Sequence, residues 1–315
     1  MNILVIGGTR LLGLSLVKQL LVTNNNVTVL SRHPEKCPFG AKCVGAQREE
    51  GLRRLAGRKF DITIDFIAYD AQAPIQVANC LNPGVYILIS STWLTRFAPL
   101  MGADQRVSSV DKSYVNLVPD VTYSYLLGKM SAEATVMGLR KKNGVATILR
   151  LPIFWGHKEH TGRLDFYRQR IFNGAPVICI DGGNNCAQIV WTEDIARVAA
   201  SWLYRASERP IWEAIPDNGN QVRKIIEFIA MGVGKQPSLI DVSSEQLLID
   251  LPDYLNKEPL WRETCLNITE SNLFSVMKIE TTPMVKWLPD LSQQEANIYM
   301  SDLRRQEIAY LETII

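Results

Sequence analysis

Short apolar runs alternate with helical patterns along the first half of the chain. Each run is continuously apolar instead of alternating with polar residues, which is typical of strands buried on both faces of a parallel sheet. The strands predicted in this way are Ile3–Ile6, Val27–Ser31, Cys43–Val44, Ile62–Ile67, Val85–Ser90 and Ala146–Leu151. The helical patterns between them are Leu11–Leu21, Pro74–Cys80 and Met130–Arg140. This order of elements predicts an α/β fold with a doubly wound parallel sheet.

The pattern changes after Pro152, where aromatic, glycine and charged residues become more frequent. Apolar runs at Ile189–Leu203 and Ile211–Ile215 predict a return to the sheet, and later helices are predicted at Val222–Met231 and Ser292–Leu311. No low-complexity linker separates the two parts, so a smaller second lobe is predicted to be interleaved with the first. The predicted domains are residues 1–152 plus about 190–216 for the sheet, and 153–189 plus 217–315 for the C-terminal lobe.

The charge balance gives no reason to expect a nucleic acid or a membrane as partner. The 315-residue chain has a formal net charge of +2 and contains no dense basic cluster. No apolar run is long enough to span a bilayer, and a strand pattern stands where a secretory signal would begin. The six cysteines lack paired metal-ligand spacing, so we expect reduced thiols in a cytoplasmic protein without a metal site.

The first strand passes through two glycines directly into the first helix. Such a turn presents unpaired backbone N–H groups and the positive end of a helix dipole, which together suit a pyrophosphate. Gly7 allows the tight turn, and Gly13 lets the helix lie close to the strand. A dinucleotide site of the Rossmann type is therefore predicted at Gly7, Gly8, Thr9, Arg10, Leu11, Leu12 and Gly13.

The end of the second predicted strand, Ser31-Arg32-His33, bears on the choice of cofactor. An acidic residue at this place accepts from the ribose 2′-hydroxyl of NAD, whereas an arginine accommodates the 2′-phosphate of NADP. Arg32 stands there, and Arg10 in the glycine turn would assist it. NADP is therefore the expected cofactor, with NAD as the alternative if Arg32 is only a solvated loop residue.

Tyr125 and Lys129 lie four residues apart at the start of a predicted helix, which puts them on one face. A phenol is a poor base near neutral pH because its pKa is about 10, but an adjacent ammonium stabilises the phenolate. The pair could then exchange a proton with an alcohol or carbonyl oxygen. A spacing of this kind also arises by chance among ten tyrosines.

Ser90-Ser91-Thr92 follows the strand Val85–Ser90, at the sheet edge where ligands bind in open parallel sheets. A hydroxyl there can hydrogen-bond the substrate oxygen that gains or loses the proton. The alternative is a serine cluster that only caps the end of the strand.

Taken together, these three motifs resemble the extended, atypical short-chain dehydrogenases/reductases of the NAD-dependent epimerase/dehydratase type. The resemblance implies a proton relay of Ser91, Tyr125 and Lys129, with Thr92 as the rival of Ser91, and a contact of Lys129 with the nicotinamide ribose. It also implies further cofactor contacts from Ile67, Ala68, Tyr69, Pro152 and Phe154.

The chain departs from that family at several places. The middle glycine of the loop is Arg10, and Gly45–Arg48 lacks the acid that usually meets the adenine amine. Trp93-Leu94 stands where the family's dehydratases carry an Asp-Glu pair, which disfavours dehydration. The arginine that helps bind a sugar-nucleotide diphosphate is replaced by Ala187 or Gln188.

We therefore expect an NAD(P)-dependent oxidoreductase that transfers a hydride at a secondary alcohol or ketone, or a C=N centre, of a small molecule. Two alternatives stay open: a nucleotide-sugar epimerase of the same family, and a non-catalytic dinucleotide-binding or RNA-associated protein. The resemblance also makes a homodimer an expectation.

Overall fold

The computed structural model describes residues 1–97, 120–143, 145–217, 219–268, 270–293 and 302–314. Its strands are β1 (Asn2–Ile6), β2 (Asn26–Ser31), β3 (Lys42–Gly45), β4 (Lys59–Asp65), β5 (Asn82–Ser91), β6 (Ala146–Leu151), β7 (Ile153–Trp155), β8 (Val177–Ile180), β9 (Cys186–Ala187), β10 (Ile189–Trp191), β11 (Ile211–Glu213), β12 (Asn220–Gln221) and β13 (Leu239–Val242). Its α-helices are α1 (Leu11–Val22), α2 (Arg48–Arg54), α3 (Gln72–Cys80), α4 (Trp93–Phe97), α5 (Asp120–Asn143), α6 (Arg163–Phe172), α7 (Thr192–Trp202), α8 (Val222–Val233), α9 (Ser244–Asp250), α10 (Pro252–Lys257), α11 (Leu273–Met277), α12 (Met284–Ser292) and α13 (Asp302–Ile314).

Seven strands form one parallel sheet in the order β11-β6-β5-β4-β1-β2-β3. The continuously apolar runs form its centre: Ile3, Leu4, Val5 and Ile6 of β1 have no exposed surface. The strand order reverses between β1 and β4, so their carboxyl ends open the crevice where such sheets bind ligands. The predicted doubly wound sheet is confirmed.

The chain divides into two compact units, which we describe separately. The first consists of Met1–Phe154, Thr192–Ile215 and Ile268–Glu280; the second consists of Trp155–Trp191, Pro216–Asn267 and Thr281–Ile315. The segment Ile268–Glu280 therefore lies outside the lobe to which its position in the sequence assigns it. The reason is Asn272, whose amide donates to the carbonyl of Ile215 at 2.9 Å and accepts from its N–H at 3.3 Å.

The predicted return to the sheet is half right. Ile211–Glu213 runs parallel to β6 and completes the sheet. The run Ile189–Leu203 does not enter it, because only Ile189–Trp191 is extended and Thr192–Trp202 is an amphipathic helix with one buried face. The helix predicted at Ser292–Leu311 begins in the described chain only at Asp302, and residues 294–301 lie outside the described residues.

The second unit has its own small parallel pair, in which β8 lies beside β13. Its core includes Ile178, Leu247 and Tyr254. A buried ion pair joins two of its helices: Arg170 donates to both carboxylate oxygens of Glu307, at 2.9 and 2.5 Å.

Four of the six cysteines are joined in disulfides, Cys37 to Cys43 and Cys186 to Cys265. The expectation that all six are reduced thiols is therefore wrong for these four, while Cys80 and Cys179 are free. The two disulfides join cysteines that are 6 and 79 residues apart in the sequence. These spacings do not predict the pairing, because disulfide connectivity depends on the folded positions of the chain.

Within the described residues, no helix combines the length and the apolar character needed to cross a bilayer.

Candidate active site at the carboxyl edge of the sheet

The glycine turn between β1 and α1 is tightly packed. Gly7 has a φ of +90°, which favours glycine, and its N–H donates to the carbonyl of Leu30 in β2 at 2.9 Å. A Cβ at Gly13 would lie 2.9 Å from the carbonyl oxygen of Gly7, so only glycine lets α1 approach the turn this closely. The predicted roles of these two glycines in the turn agree with this geometry.

Among the described residues, no side chain caps the N-terminus of α1. Arg10 occupies the capping position with an extended backbone, and its side chain makes no capping hydrogen bond. No acidic residue lies in the first turn of the helix. The first N–H groups of an α-helix have no partner within the helix, so this end fits the pyrophosphate of a dinucleotide.

The glycine turn and the end of β2 meet through two hydroxyl groups. Thr9 Oγ1 and Ser31 Oγ lie 2.8 Å apart, and Ser31 Oγ also accepts from the N–H of His33 at 3.0 Å. The next residue after each hydroxyl is an arginine, and the side chains of both Arg10 and Arg32 are exposed. Neither guanidinium is hydrogen-bonded to any described residue, so both can bind a phosphate.

Lys129 is the most deeply buried cation at this edge, with 2% of its surface exposed. Its ammonium donates to the carbonyl oxygens of Ala68 and Ile89, each at 2.8 Å. Ala68 lies in the loop after β4, and Ile89 lies near the carboxyl end of β5, so the lysine joins the carboxyl-end regions of two neighbouring strands. Burial lowers the pKa of Lys129 to about 8, while the carboxylates of Asp65 and Glu133 oppose part of that shift.

Two tyrosine rings lie beside this ammonium. The ring centre of Tyr125 is 5.9 Å from Lys129 Nζ, and that of Tyr69 is 4.7 Å from it. The two ring centres are 6.3 Å apart, and both side chains are partly exposed. The structure thus brings together Tyr125 and Lys129, as their spacing predicts, and adds Tyr69.

Ser91 lies at the carboxyl end of β5 and is half-buried. Its Oγ accepts from the N–H of Trp93 at 3.2 Å, which is the capping contact that the alternative interpretation of this cluster expects. An accepting hydroxyl still has its own hydrogen to donate. Thr92, the alternative to Ser91, is 1% exposed, and its Oγ1 has no hydrogen-bond partner among the described residues.

The remaining predicted cofactor residues lie around the same strand ends. Ala68 is fully buried and Ile67 half-buried after β4, and a Cβ on Gly7 would lie 2.9 Å from Ile67 Cγ2. Pro152 is buried and Phe154 half-buried after β6.

An ion pair beneath Lys129 is absent from the sequence-based predictions. Asp65 ends β4 with no exposed surface, and its carboxylate accepts from Arg48 at 3.0 and 2.6 Å and from Tyr86 at 2.9 Å. Two further Arg48 N–H groups donate to the side-chain oxygen of Gln76 and to the carbonyl of Ala73. The one available signal was a charged residue within the predicted strand Ile62–Ile67.

A second buried network links the strand ends farther along the sheet. Arg150 of β6 donates to both oxygens of Glu133, at 3.0 and 2.6 Å, and to Thr95 at 3.1 Å. Thr95 in turn donates to Glu213 of β11 at 2.6 Å. Glu133 lies one helical turn from Lys129, so this network fixes the helix that carries the predicted relay.

Among the described residues, no group of histidine, cysteine or carboxylate side chains has the arrangement of a metal site.

The structure of the chain is similar to those of several nucleotide-sugar enzymes. A UDP-galactose 4-epimerase matches with a TM-score of 0.65 at 16% identity, over 95% of this chain and 98% of that one. UDP-glucuronic acid 4-epimerase from Bacillus cereus, in complex with UDP-glucuronic acid and NAD, matches with a TM-score of 0.62 at 13% identity. The match covers 95% of this chain and 98% of that one. dTDP-glucose 4,6-dehydratase from Bacillus anthracis, in complex with NAD, matches with a TM-score of 0.63 at 14% identity. The match covers 93% of this chain and 96% of that one.

At these identities the similarity establishes the fold. The fold implied by the resemblance to the epimerase/dehydratase type is therefore confirmed. No protein-family model and no curated protein matches the chain.

Proposed function

We propose that the protein is an NAD(P)-dependent oxidoreductase that transfers a hydride at a secondary alcohol or ketone, or a C=N centre, of a small molecule. The observation that carries this proposal is the buried ammonium of Lys129. It is held by two strand-end carbonyls and lies 5.9 Å from the ring centre of Tyr125. A buried cation beside a phenol is the arrangement that makes a tyrosine usable as an acid or base.

In this proposal Tyr125 exchanges a proton with the substrate oxygen. The positive charge of Lys129 stabilises the phenolate left when the proton leaves, and two of its three N–H groups are already bound by carbonyls. One N–H then remains for a ribose hydroxyl or for the phenol itself. The hydroxyl of Ser91 orients the substrate oxygen, and Thr92 is its alternative in that role.

The cofactor fits the free N-terminus of α1, and a bound nicotinamide dinucleotide supplies or accepts the hydride. The glycine turn, residues 7–13, would hold the pyrophosphate. Arg10 and Arg32 are exposed and unpaired within the described chain, which supports NADP over NAD.

A second candidate is a nucleotide-sugar epimerase, which the similarity to UDP-sugar 4-epimerases favours. Gln188 weighs against it. Its amide donates to the carbonyls of Pro216 and Leu266 and accepts from the N–H of Leu266, and the side chain is 3% exposed. A residue whose polar atoms are all engaged within the second unit is a poor substitute for an arginine that binds a diphosphate.

The two candidates differ in their need for an external reductant. Purified protein would be incubated with NADPH and a panel of small ketones, aldehydes and imines, and in parallel with UDP-glucose and UDP-galactose. Net NADPH oxidation with a member of the panel is expected. Interconversion of the UDP-sugars by tightly bound cofactor, without net oxidation, would replace the oxidoreductase with the epimerase.

A further inference from the structure

Of the aromatic side chains that the structure describes, Tyr69 lies nearest to the Lys129 ammonium. Its ring centre is 4.7 Å from Nζ, compared with 5.9 Å for Tyr125. A ring within about 6 Å of a cation attracts it through the negative potential of its face. Tyr69 as a whole residue is 54% exposed, so packing does not require a large aromatic residue at this position.

The backbone that carries this ring is held against the same helix as Lys129. The carbonyl of Ala68 accepts from Lys129 Nζ at 2.8 Å. The next carbonyl, that of Tyr69, lies so close to α5 that a Cβ at Gly128 would be 2.1 Å from its oxygen. The close approach at Gly128 and the hydrogen bond from Lys129 therefore hold residues 68 and 69 in place.

We propose that Tyr69 is a positioning residue for Lys129, whose ring face binds the ammonium and holds it between the two strand-end carbonyls, next to Tyr125. The ring acts on the lysine, and Tyr125 remains the group that exchanges the proton. The consequence for catalysis rests on the proposed function, whereas the contact between ring and ammonium does not.

The charges around the lysine agree with this role. Asp65 of β4 and Glu133 of α5 favour the ammonium, and Arg48 of α2 opposes it. Burial and the charge of Asp65 raise the pKa of the Tyr69 phenol, although Arg32 lowers it. Tyr69 therefore stays neutral at physiological pH and offers an uncharged ring to the cation.

The test compares Tyr69→Phe with Tyr69→Leu. Phenylalanine keeps the ring face, whereas leucine keeps a shorter apolar side chain without a ring. The protein would be labelled with [ε-13C]lysine, and the Lys129 signal, assigned with Lys129→Met, would be titrated between pH 6 and 11. We expect Tyr69→Phe to titrate as the wild type does, and Tyr69→Leu to titrate about half a unit to one unit lower, because the cation loses its ring.

Equal pKa values of Lys129 in the wild type and Tyr69→Leu would overturn the proposal, as would an equal decrease in both variants. The titration needs neither substrate nor cofactor. If the shift occurs in a protein that shows no hydride transfer, the contact stands and the proposed function fails. If hydride transfer occurs without the shift, the proposed function stands and Tyr69 has no positioning role.

Discussion

The backbones of Gly128 and Tyr69 approach each other so closely that residue 128 has no room for a Cβ atom. A Cβ at position 128 would lie 2.1 Å from the carbonyl oxygen of Tyr69. The contact lets α5 press against the loop after β4, and it brings the next residue of the helix, Lys129, within 2.8 Å of the Ala68 carbonyl.

Gly128→Ala should therefore lower the free energy of unfolding by about 1–3 kcal/mol, the usual cost of overpacking against backbone. The matched control is Gly138→Ala in the same helix, where a Cβ would meet nothing within 4 Å. That change should instead stabilise the protein by about 0.5–1 kcal/mol. Urea unfolding of both variants measures the difference, and equal effects would show that the close contact is not structurally important.

The pair of Arg48 and Asp65 should be important for stability. Arg48→Met removes the cation that pairs with Asp65, whose carboxylate has no exposed surface. The free energy of unfolding should fall by about 3–5 kcal/mol. Arg54→Met is the control, because Arg54 is 54% exposed and pairs on the surface with Glu50. Its cost should be about 0.5 kcal/mol or less. A loss below 1 kcal/mol for Arg48→Met in urea unfolding would contradict the role of this pair.

Cofactor selectivity should depend on Arg32. Arg32→Ala removes a charged contact to the 2′-phosphate, so the affinity for NADP should fall about 10- to 100-fold while that for NAD changes little. Arg53→Ala removes an exposed charge from α2 and should change neither affinity. Calorimetric titration of the unmodified protein and both variants with NADP and NAD measures all six dissociation constants. Tighter binding of NAD than of NADP by the unmodified protein would contradict the NADP assignment.

Local signals predicted the parts of the site that are contiguous in the chain. The strand, glycines and helix of residues 3–13 are adjacent in sequence, and Tyr125 and Lys129 lie four residues apart on one helix. Both arrangements follow from backbone geometry alone. The structure agrees with them because nothing distant is needed to form them.

Distant contacts were not predictable in the same way. Asp65 and Arg48 are 17 residues apart and meet only because β4 and α2 pack together. The same holds for Asn272, which binds Ile215 and brings Ile268–Glu280 into the first unit. The position of Tyr69 over Lys129 depends on the packing of a loop against a helix, which no periodicity encodes.

Stability should depend on pH through Lys129. Its pKa is about 8 in the folded protein and 10.5 in the unfolded chain, so between these values the unfolded chain holds a proton that the folded protein lacks. The free energy of unfolding should therefore rise with pH in this window, by about 3 kcal/mol in total. Below pH 8 both states are protonated, and burial of the ammonium destabilises the fold in full.

Lys129→Met removes this contribution while leaving every other titrating group in place. Urea unfolding at pH 7.5, 9 and 10.5 should show the wild type gaining stability relative to the variant as the pH rises. Parallel stability curves for the two proteins would mean that the lysine is not perturbed by burial.

The most direct measurement is the turnover of Tyr125→Phe with the cofactor bound. Phenylalanine keeps the ring beside Lys129 but cannot exchange a proton, so the rate of hydride transfer should fall about 10²- to 10⁴-fold. The affinity for NADP, measured on the same preparation, should remain within about twofold of the wild type. Near wild-type turnover in Tyr125→Phe would contradict the proton relay on which the proposed activity depends.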